Sequence, residues 1–220
     1  MTSTACLPAR SPPPYAQVAD LLGTVRHRNF DPGRRIFSSG ETPAAIVCIR
    51  SGLVKLVYCS PHGGERVVLL AGRGNAVGLE ALLGQPMQHD AVAIRPTGIC
   101  WVPILLLQQL ALRDPQLHQR LMSFWRDNLD FAAQSLSRFS VGPTPARIAR
   151  LIVFRAAIEK SRNPDEITML SRQDMAAILG VAPENISRAV GQFRRAKLLR
   201  KLKRDVYLCD LETMQAIADA

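Results

Sequence analysis

Three polar residues near the carboxyl end, Glu184, Ser187 and Arg188, have side chains that can hydrogen-bond the edges of base pairs. They are three and four positions apart, so on a helix they share one face. A guanidinium can bond O6 and N7 of guanine, a carboxylate can accept from N4 of cytosine, and a hydroxyl is less selective. These residues therefore predict a helix that reads the DNA major groove.

The surrounding residues 172–191 have the pattern of two short helices joined by a tight turn, a helix-turn-helix. Ala176 is small enough for close helix crossing, and Ile186 would fill the space between the helices. Gly180 can take the left-handed conformation that ends the first helix. Pro183 suits the first turn of the second helix. An ordinary helical hairpin is the alternative interpretation.

The net charge of +10 is concentrated around this motif. Positions 147–204 hold 14 Lys or Arg residues and five Asp or Glu residues. A basic surface beside a groove-reading helix is what phosphate contacts require. The residues that we expect to contact phosphates are Arg172, Arg194, Arg195, Lys197, Lys201, Lys203 and Arg204.

The chain divides into four regions, and the last of them contains the helix-turn-helix. Residues 1–24 form a proline-rich arm followed by a short helix, and residues 25–112 alternate short β-favouring segments with glycine turns. Such spacing predicts a small antiparallel barrel or jelly roll that can hold one ligand. Residues 113–141 form a long helix, and residues 142–220 form the helix-turn-helix region with a two-stranded basic wing.

The long helix is apolar on two sides, so we expect it to be buried on two sides. One row, Leu117, Leu121, Phe124 and Phe131, would pack on its own chain. The other row alternates by three and four positions, as in a coiled coil, and would pack on a second subunit. This seam row consists of Met122, Trp125, Leu129, Ala132, Leu136 and Phe139. A helix wholly buried inside one chain is the alternative interpretation.

The order of these parts resembles the Crp–Fnr family of bacterial transcription regulators. The resemblance rests on Asp31-Pro32-Gly33, Ser39-Gly40-Glu41, residues 51–56, 78–83 and 146–151, and the helix-turn-helix. It implies an α+β fold: an N-terminal double-stranded β-helix (jelly-roll) sensor domain, a long dimerisation helix and a C-terminal winged helix-turn-helix. It also implies a cytoplasmic homodimer that activates transcription, with double-stranded DNA and RNA polymerase as partners. The Glu184, Ser187 and Arg188 pattern is similar to the Fnr branch, which implies inverted repeats of TTGAT-like half-sites.

The signal that the sensor domain detects is left open. Cyclic-AMP-binding relatives have a Gly-Glu pair and an Arg-Ser pair, where this chain has Gly78-Leu79, with Glu80 one position late, and Gln88-His89-Asp90. Without the arginine, a phosphodiester is poorly neutralised, which argues against cyclic AMP. The residues that we expect around an effector are Gly78, Leu79, Glu80, His89 and Asp90.

The number and positions of the cysteines limit which metal cofactors the protein is expected to bind. The N-terminal arm contains only Cys6, and an iron–sulfur cluster takes about four thiolates, which argues against a cluster of that kind. Haem stays open, with His62 and His89 as candidate axial ligands, and Cys48 and Cys59 as further ones. Five widely spaced cysteines favour a reducing compartment over a disulfide framework, and a redox role for a single thiol is a further alternative.

Two other classes of function fit the sequence less well. A small-molecule-binding β-barrel module without DNA readout would leave Glu184, Ser187 and Arg188 without a purpose. An enzyme is disfavoured because the sequence has no nucleophile elbow, phosphate-binding loop or HExxH motif. No secretory signal and no apolar run of about 20 residues is present, so we expect no membrane association.

Overall fold

The computed structural model describes residues 25–60, 63–112, 114, 116–159 and 165–219. The expected arm and short helix in residues 1–24 lie outside the described residues, and so does His62. The described residues divide into two compact units, one within positions 25–55 and 71–126 and one within positions 56–70 and 127–219. Strands dominate the amino-terminal part and helices the carboxyl-terminal part, so the predicted α+β class is confirmed.

The β-roll consists of two four-stranded sheets, with strand orders β1-β8-β3-β6 and β2-β7-β4-β5. Tight glycine turns connect neighbouring strands. Gly52 has φ 89°, and a Cβ there would lie 2.5 Å from the Pro96 carbonyl oxygen, so only glycine fits this turn. The strands are β1 (Arg26–Phe30), β2 (Arg35–Phe37), β3 (Ala45–Ser51), β4 (Leu53–Cys59), β5 (Glu65–Gly72), β6 (Ala76–Val77), β7 (Asp90–Ala93) and β8 (Thr97–Pro103).

Helices cover the apolar face of the sheet that contains β3 and β8. Alternate residues of these strands point inward and pack beneath α1 (Ile104–Ala111) and the first half of α2 (Gln116–Ser137). A short 3₁₀ helix, Leu79–Leu83, lies at the end of β6. The buried cluster contains Val25, Ile46, Cys48, Ala76, Leu79, Cys100, Val102, Leu106, Leu107, Leu117, Leu121 and Phe124.

The long helix is shorter than the expected 113–141, because α2 ends at Ser137. The chain then turns inward, and the N–H of Phe139 bonds the carbonyl of Gln134. Phe139 is 1% exposed and its ring packs against Phe131 and Phe154, with centroids 6.3 and 5.5 Å away. The assignment of Phe139 to the intersubunit seam was therefore wrong, since a ring buried in its own chain is not available to a partner.

The carboxyl-terminal residues form a winged helix domain. The helix α3 (Thr144–Glu159) packs on the last helix, α6 (Leu211–Asp219), and on the helix-turn-helix pair, α4 (Arg172–Leu179) and α5 (Pro183–Arg195). A three-stranded sheet of order β10-β11-β9 completes the domain. Its strands are β9 (Glu166–Thr168), β10 (Leu199–Lys201) and β11 (Val206–Cys209).

Candidate nucleic-acid interface

The second helix of the motif, α5, is buried on one face and exposed on the other. Glu184, Ser187 and Arg188 are all exposed, and they follow one another at helical spacing on the outer face. The inner face is formed by Ile186, Ala189, Val190 and Phe193, each no more than 4% exposed. This buried face holds the helix against the domain, so the acid, the hydroxyl and the guanidinium project together into solvent.

Local interactions set the position of α4. The Ser171 hydroxyl caps this helix, because its oxygen accepts from the Asp174 N–H at 3.0 Å and its proton goes to the Asp174 carboxylate at 2.7 Å. At the other end Gly180 has φ 62°, and its N–H bonds the Ala176 carbonyl at 2.7 Å. Ile186 is fully buried between the two helices. The local geometry expected at Gly180 and Ile186 is present.

The start of α5 has no side-chain cap. Ala182 occupies the N-cap position with an extended backbone, and Pro183 follows as the first helical residue. Pro183 lacks an N–H, which removes one of the donors that a helix start leaves unpaired. Glu184 stands in the first turn, where the positive end of the helix dipole favours a carboxylate.

The basic residues of α5 fall into two sets. Counting 100° per residue, Arg195 lies on the same face as Glu184 and Arg188, and its Nη1 is 3.6 Å from where a Gly191 Cβ would be. Arg194 lies about 80° from Glu184 towards the flank of the helix. It lines a groove of about 660 Å³ together with Lys197, Arg200, Asp165, Asp210 and Glu212. Arg194 and Lys197 therefore line a groove together with carboxylates, whereas Arg195 lies outside that groove, on the face of Glu184 and Arg188.

The other expected phosphate contacts lie in two places. Lys201, Lys203 and Arg204 are exposed at and beyond the end of β10, where the wing turns. Arg172 is half-buried at the start of α4, and its Nη1 approaches the Met175 sulfur at 4.0 Å.

Two arginines of α3 bond carbonyls at the ends of other elements. Arg147 donates to the Phe139 carbonyl at 2.6 Å and to the Leu179 carbonyl at the end of α4. Arg150 donates to the carbonyls of Arg138 and Val141 at 3.0 and 2.6 Å. The carbonyls at a helix end and in the following turn have no helical partners, so arginine donors stabilise them. We did not assign a role to either arginine from the sequence, although their three-residue spacing on one helix was a usable signal.

The expected effector residues of the β-roll are partly used by the fold itself. Leu79 is 3% exposed, and a Cβ added to Gly78 (φ 74°) would overlap the Met87 side chain. The carboxylate of Asp90 forms an ion pair with Arg35 at 3.2 Å and accepts from the Ser39 N–H at 2.8 Å. Glu80 and His89 are half-exposed beside them. Asp90 thus ties β7 to β2, which limits its freedom to contact a ligand.

An apolar row on α2 remains exposed. Met122, Leu129 and Leu136 are 61%, 66% and 75% exposed and are seven residues apart. Ala132 is also exposed, and Trp125 is half-buried, packed against the core of the first unit. The second apolar row, Leu117, Leu121, Phe124 and Phe131, is buried in its own chain.

Two kinds of site are absent from the described ranges. No group of three His, Cys, Asp or Glu side chains there is arranged to hold a metal ion. No helix in the same ranges combines the length and apolarity that crossing a bilayer requires.

Comparison with known proteins assigns both parts of the chain. Residues 27–114 match the cyclic nucleotide-binding domain, and residues 146–217 match the Crp-like helix-turn-helix domain. Electron transport regulator A of Shewanella oneidensis is 24% identical over 205 residues, 92% of this chain and 81% of the relative. Transcriptional activator protein Anr of Pseudomonas protegens is 27% identical, over 88% and 80% of the two chains. The structure of FixK2 from Bradyrhizobium japonicum superimposes with a TM-score of 0.80 at 18% identity, covering 90% of this chain and 98% of that one.

A cyclic nucleotide-binding fold followed by a Crp-like helix-turn-helix defines a class of DNA-binding transcription regulators, not of enzymes. The chain belongs to the Crp–Fnr family. The resemblance stated from the sequence is thereby confirmed at the level of the family.

Proposed function

We propose that the protein is a homodimeric transcription regulator that binds inverted repeats of TTGAT-like half-sites, and that an effector at the β-roll sets its activity. The observation that carries the proposal is the outer face of α5, where Glu184, Ser187 and Arg188 are exposed side by side. Activation is proposed by likeness to relatives named as transcriptional activators, with RNA polymerase as the partner of the bound dimer.

The two charged residues suit the single G·C pair of TTGAT. Arg188 can donate two hydrogen bonds to guanine O6 and N7, and Glu184 can accept from cytosine N4. They are four residues apart, so their side chains leave the helix on the same side and can reach neighbouring bases. We assign the guanine to Arg188, Ser187 to a less selective contact, and Arg195 and the wing lysines to phosphates.

The proposed dimer follows from the exposed row on α2. Apolar side chains at seven-residue intervals are the contact pattern of a coiled coil, and a second copy would cover Met122, Leu129 and Leu136. A two-fold dimer presents two recognition helices, which matches an inverted repeat.

The effector site is proposed near Gly78, Leu79, Glu80, His89 and Asp90. Because the Arg35 guanidinium is already paired with Asp90, it is not free to neutralise an anionic phosphodiester such as cyclic AMP, which is therefore disfavoured. Haem is the alternative, with His89 as the described candidate ligand. The visible absorption spectrum of protein purified from cells tests for haem, since a Soret band would identify it. Its absence would leave an organic effector, a thiol switch or regulation by abundance alone.

The DNA proposal is tested by fluorescence anisotropy on a duplex with two inverted TTGAT half-sites and on one with TTAAT half-sites. Wild-type protein should lose about 10-fold or more in affinity when the G·C pair is replaced, because each bidentate contact contributes about 1–3 kcal/mol. Arg188→Ala should lose the part of this preference that the guanine contact supplies, and the smaller remainder should come from Glu184. The matched control is Lys201→Ala, which should weaken binding to both duplexes by the same factor.

Two results would contradict the proposal. If Arg188→Ala retained the wild-type preference for TTGAT, Arg188 would not read the guanine. If wild-type protein bound a scrambled duplex as tightly as the inverted repeat at low and at moderate salt, the chain would be a ligand-binding module without sequence readout.

A further inference from the structure

Two thiols and an imidazole form a row across the β-roll. Strand register pairs His27 of β1 with Cys100 of β8, and Cys100 with Cys48 of β3. Directly paired residues of antiparallel strands point to the same face of the sheet, so the three side chains are consecutive neighbours. Cys48 and Cys100 are each 1% exposed, whereas His27 lies exposed on the edge strand.

The contacts of the imidazole define its role. His27 Nδ1 is 3.0 Å from Nη1 of Arg50 and 3.1 Å from the Cys100 sulfur. A guanidinium can only donate hydrogen bonds, so Nδ1 must be the acceptor and carry no proton. The thiol of Cys100 lies beside the same nitrogen and competes with Arg50 for its single lone pair, so proton transfer to His27 requires that Arg50 release it. A thiol beside a base and a cation has the surroundings of a reactive cysteine.

We propose that Cys100 and Cys48 form an oxidant-reactive thiol pair, in which His27 is the base for Cys100 and hydroperoxides are the oxidants. His27 takes the proton of Cys100, and the thiolate attacks one peroxide oxygen. The O–O bond breaks and Cys100 becomes a sulfenic acid. The leaving hydroxide, or the alkoxide of an organic hydroperoxide, takes the proton held by His27 and forms water or an alcohol. The Cys48 thiol then displaces water from the sulfenic acid, which gives a Cys48–Cys100 disulfide. Two thiols are oxidised, and one hydroperoxide is reduced.

The strand geometry permits this bond with some strain. The Ile104 N–H bonds the Ala44 carbonyl at 2.8 Å, and by alternation the Cys48–Cys100 pair is also a hydrogen-bonded pair. The Cα atoms of such pairs are about 5.5 Å apart, inside the range of disulfides. The Cβ atoms must approach by on the order of 1 Å, and a strained disulfide is readily reduced again.

Burial keeps the pair protonated until an oxidant arrives. Burial raises the pKa of the Cys100 thiol and the nearby Arg50 partly offsets that rise. Burial also raises the pKa of Cys48, with a smaller contribution from Cys100. A free thiolate is thus scarce, and the reaction of Cys100 depends on proton transfer to His27.

The pair also lies where a bond would alter the packing of α2. Both cysteines belong to the core cluster that contains Leu117, Leu121 and Phe124 of that helix. Movement of β3 against β8 would shift the surface on which the first half of α2 packs. The inference that oxidation alters DNA binding rests on the proposed function, whereas the inference that Cys48 and Cys100 react with an oxidant does not.

The test treats full-length reduced protein with hydrogen peroxide, stops the reaction with an alkylating reagent at intervals, and locates modified cysteines by peptide mass mapping. We expect a Cys48–Cys100 cross-link. His27→Gln, a change at an exposed site, should slow its formation by about tenfold or more. Two internal controls are Cys59, which is exposed and should oxidise at the same rate in both proteins, and Cys209, which should stay reduced.

A second variant identifies the order of events. In Cys48→Ala the Cys100 sulfenic acid has no resolving thiol, so dimedone should label Cys100. The proposal is overturned if Cys100 stays unmodified while Cys59 oxidises, or if His27→Gln forms the cross-link as fast as wild type. Failure of reduced protein to bind the inverted repeat would refute the proposed function and leave the mapping result intact.

Discussion

Replacing Leu129 by glutamate should disrupt the dimer that we propose to form along α2. Leu129 is the middle member of the exposed row of Met122, Leu129 and Leu136, and 66% of it is exposed in the single chain. In a two-fold coiled coil the two copies of this residue face each other, so the substitution acts twice and brings two carboxylates together.

The size of the effect follows from the exposed fraction. Complete burial of a leucine contributes about 1.5–3 kcal/mol, and two thirds of that is about 1–2 kcal/mol for each protomer. Loss of both side chains should therefore weaken dimerisation by about 2–4 kcal/mol, or about 30-fold to 700-fold in the dissociation constant. Repulsion between the paired carboxylates adds to this loss.

Sedimentation velocity over a range of protein concentrations measures the dissociation constant directly. The matched control is Ser123→Glu, which adds the same charge to an exposed position of α2 on the side away from the row. Leu129→Glu should also reduce affinity for a complete inverted repeat far more than for a single half-site. The reasoning is refuted if Leu129→Glu dimerises as tightly as wild type, or if Ser123→Glu weakens the dimer equally.

Three further predictions concern the winged domain. Ser171→Ala should lower the free energy of unfolding by about 1 kcal/mol, because the cap of α4 is lost; unchanged thermal denaturation would contradict this. Hydrogen bonds from the Thr213 N–H and hydroxyl lower the pKa of Asp210, so its stabilising effect is present above the ordinary carboxyl pKa and is lost as the pH falls through the folded-state value. Chemical denaturation should therefore show a smaller loss of stability on acidification in Asp210→Asn than in wild type, and equal losses would exclude this role. Arg195→Ala should reduce the salt dependence of DNA binding by about one unit of slope, whereas Arg194→Ala should change it little; similar slopes for both variants would contradict the two-set division of α5.

Much of the winged domain could be predicted because its signals are local. Ser171 as a cap, Gly180 as a left-handed turn and Ile186 as a plug each depend on a few neighbouring residues, and the structure has all three. The strand β1 has little local signal, because its residues Arg26 to Asn29 are all polar, as in a loop. Their strand conformation comes from pairing with β8, which is distant in sequence.

The end of α2 shows the same division between local and distant causes. Residues Met122 to Phe139 continue one apolar pattern, so the sequence cannot distinguish a side chain that faces a partner from one that turns into its own core. The ring of Phe139 packs against Phe154, a residue of the next helix, and so lies in the core of its own chain and not on the exposed row. Likewise, Arg194 and Arg195 are adjacent and chemically identical, and only the packing of α5 separates their surroundings.

By itself the sequence determined the α+β class, the family and the three side chains that we expect to read bases. Periodicity, glycine placement and residue chemistry can each be recognised within a short segment of the chain. Only the tertiary structure decided that Asp90 is paired with Arg35 and that His27 and Arg50 lie beside the Cys100 thiol. Those pairings join strands up to 73 positions apart. They depend on strand register and sheet order, which no local pattern specifies.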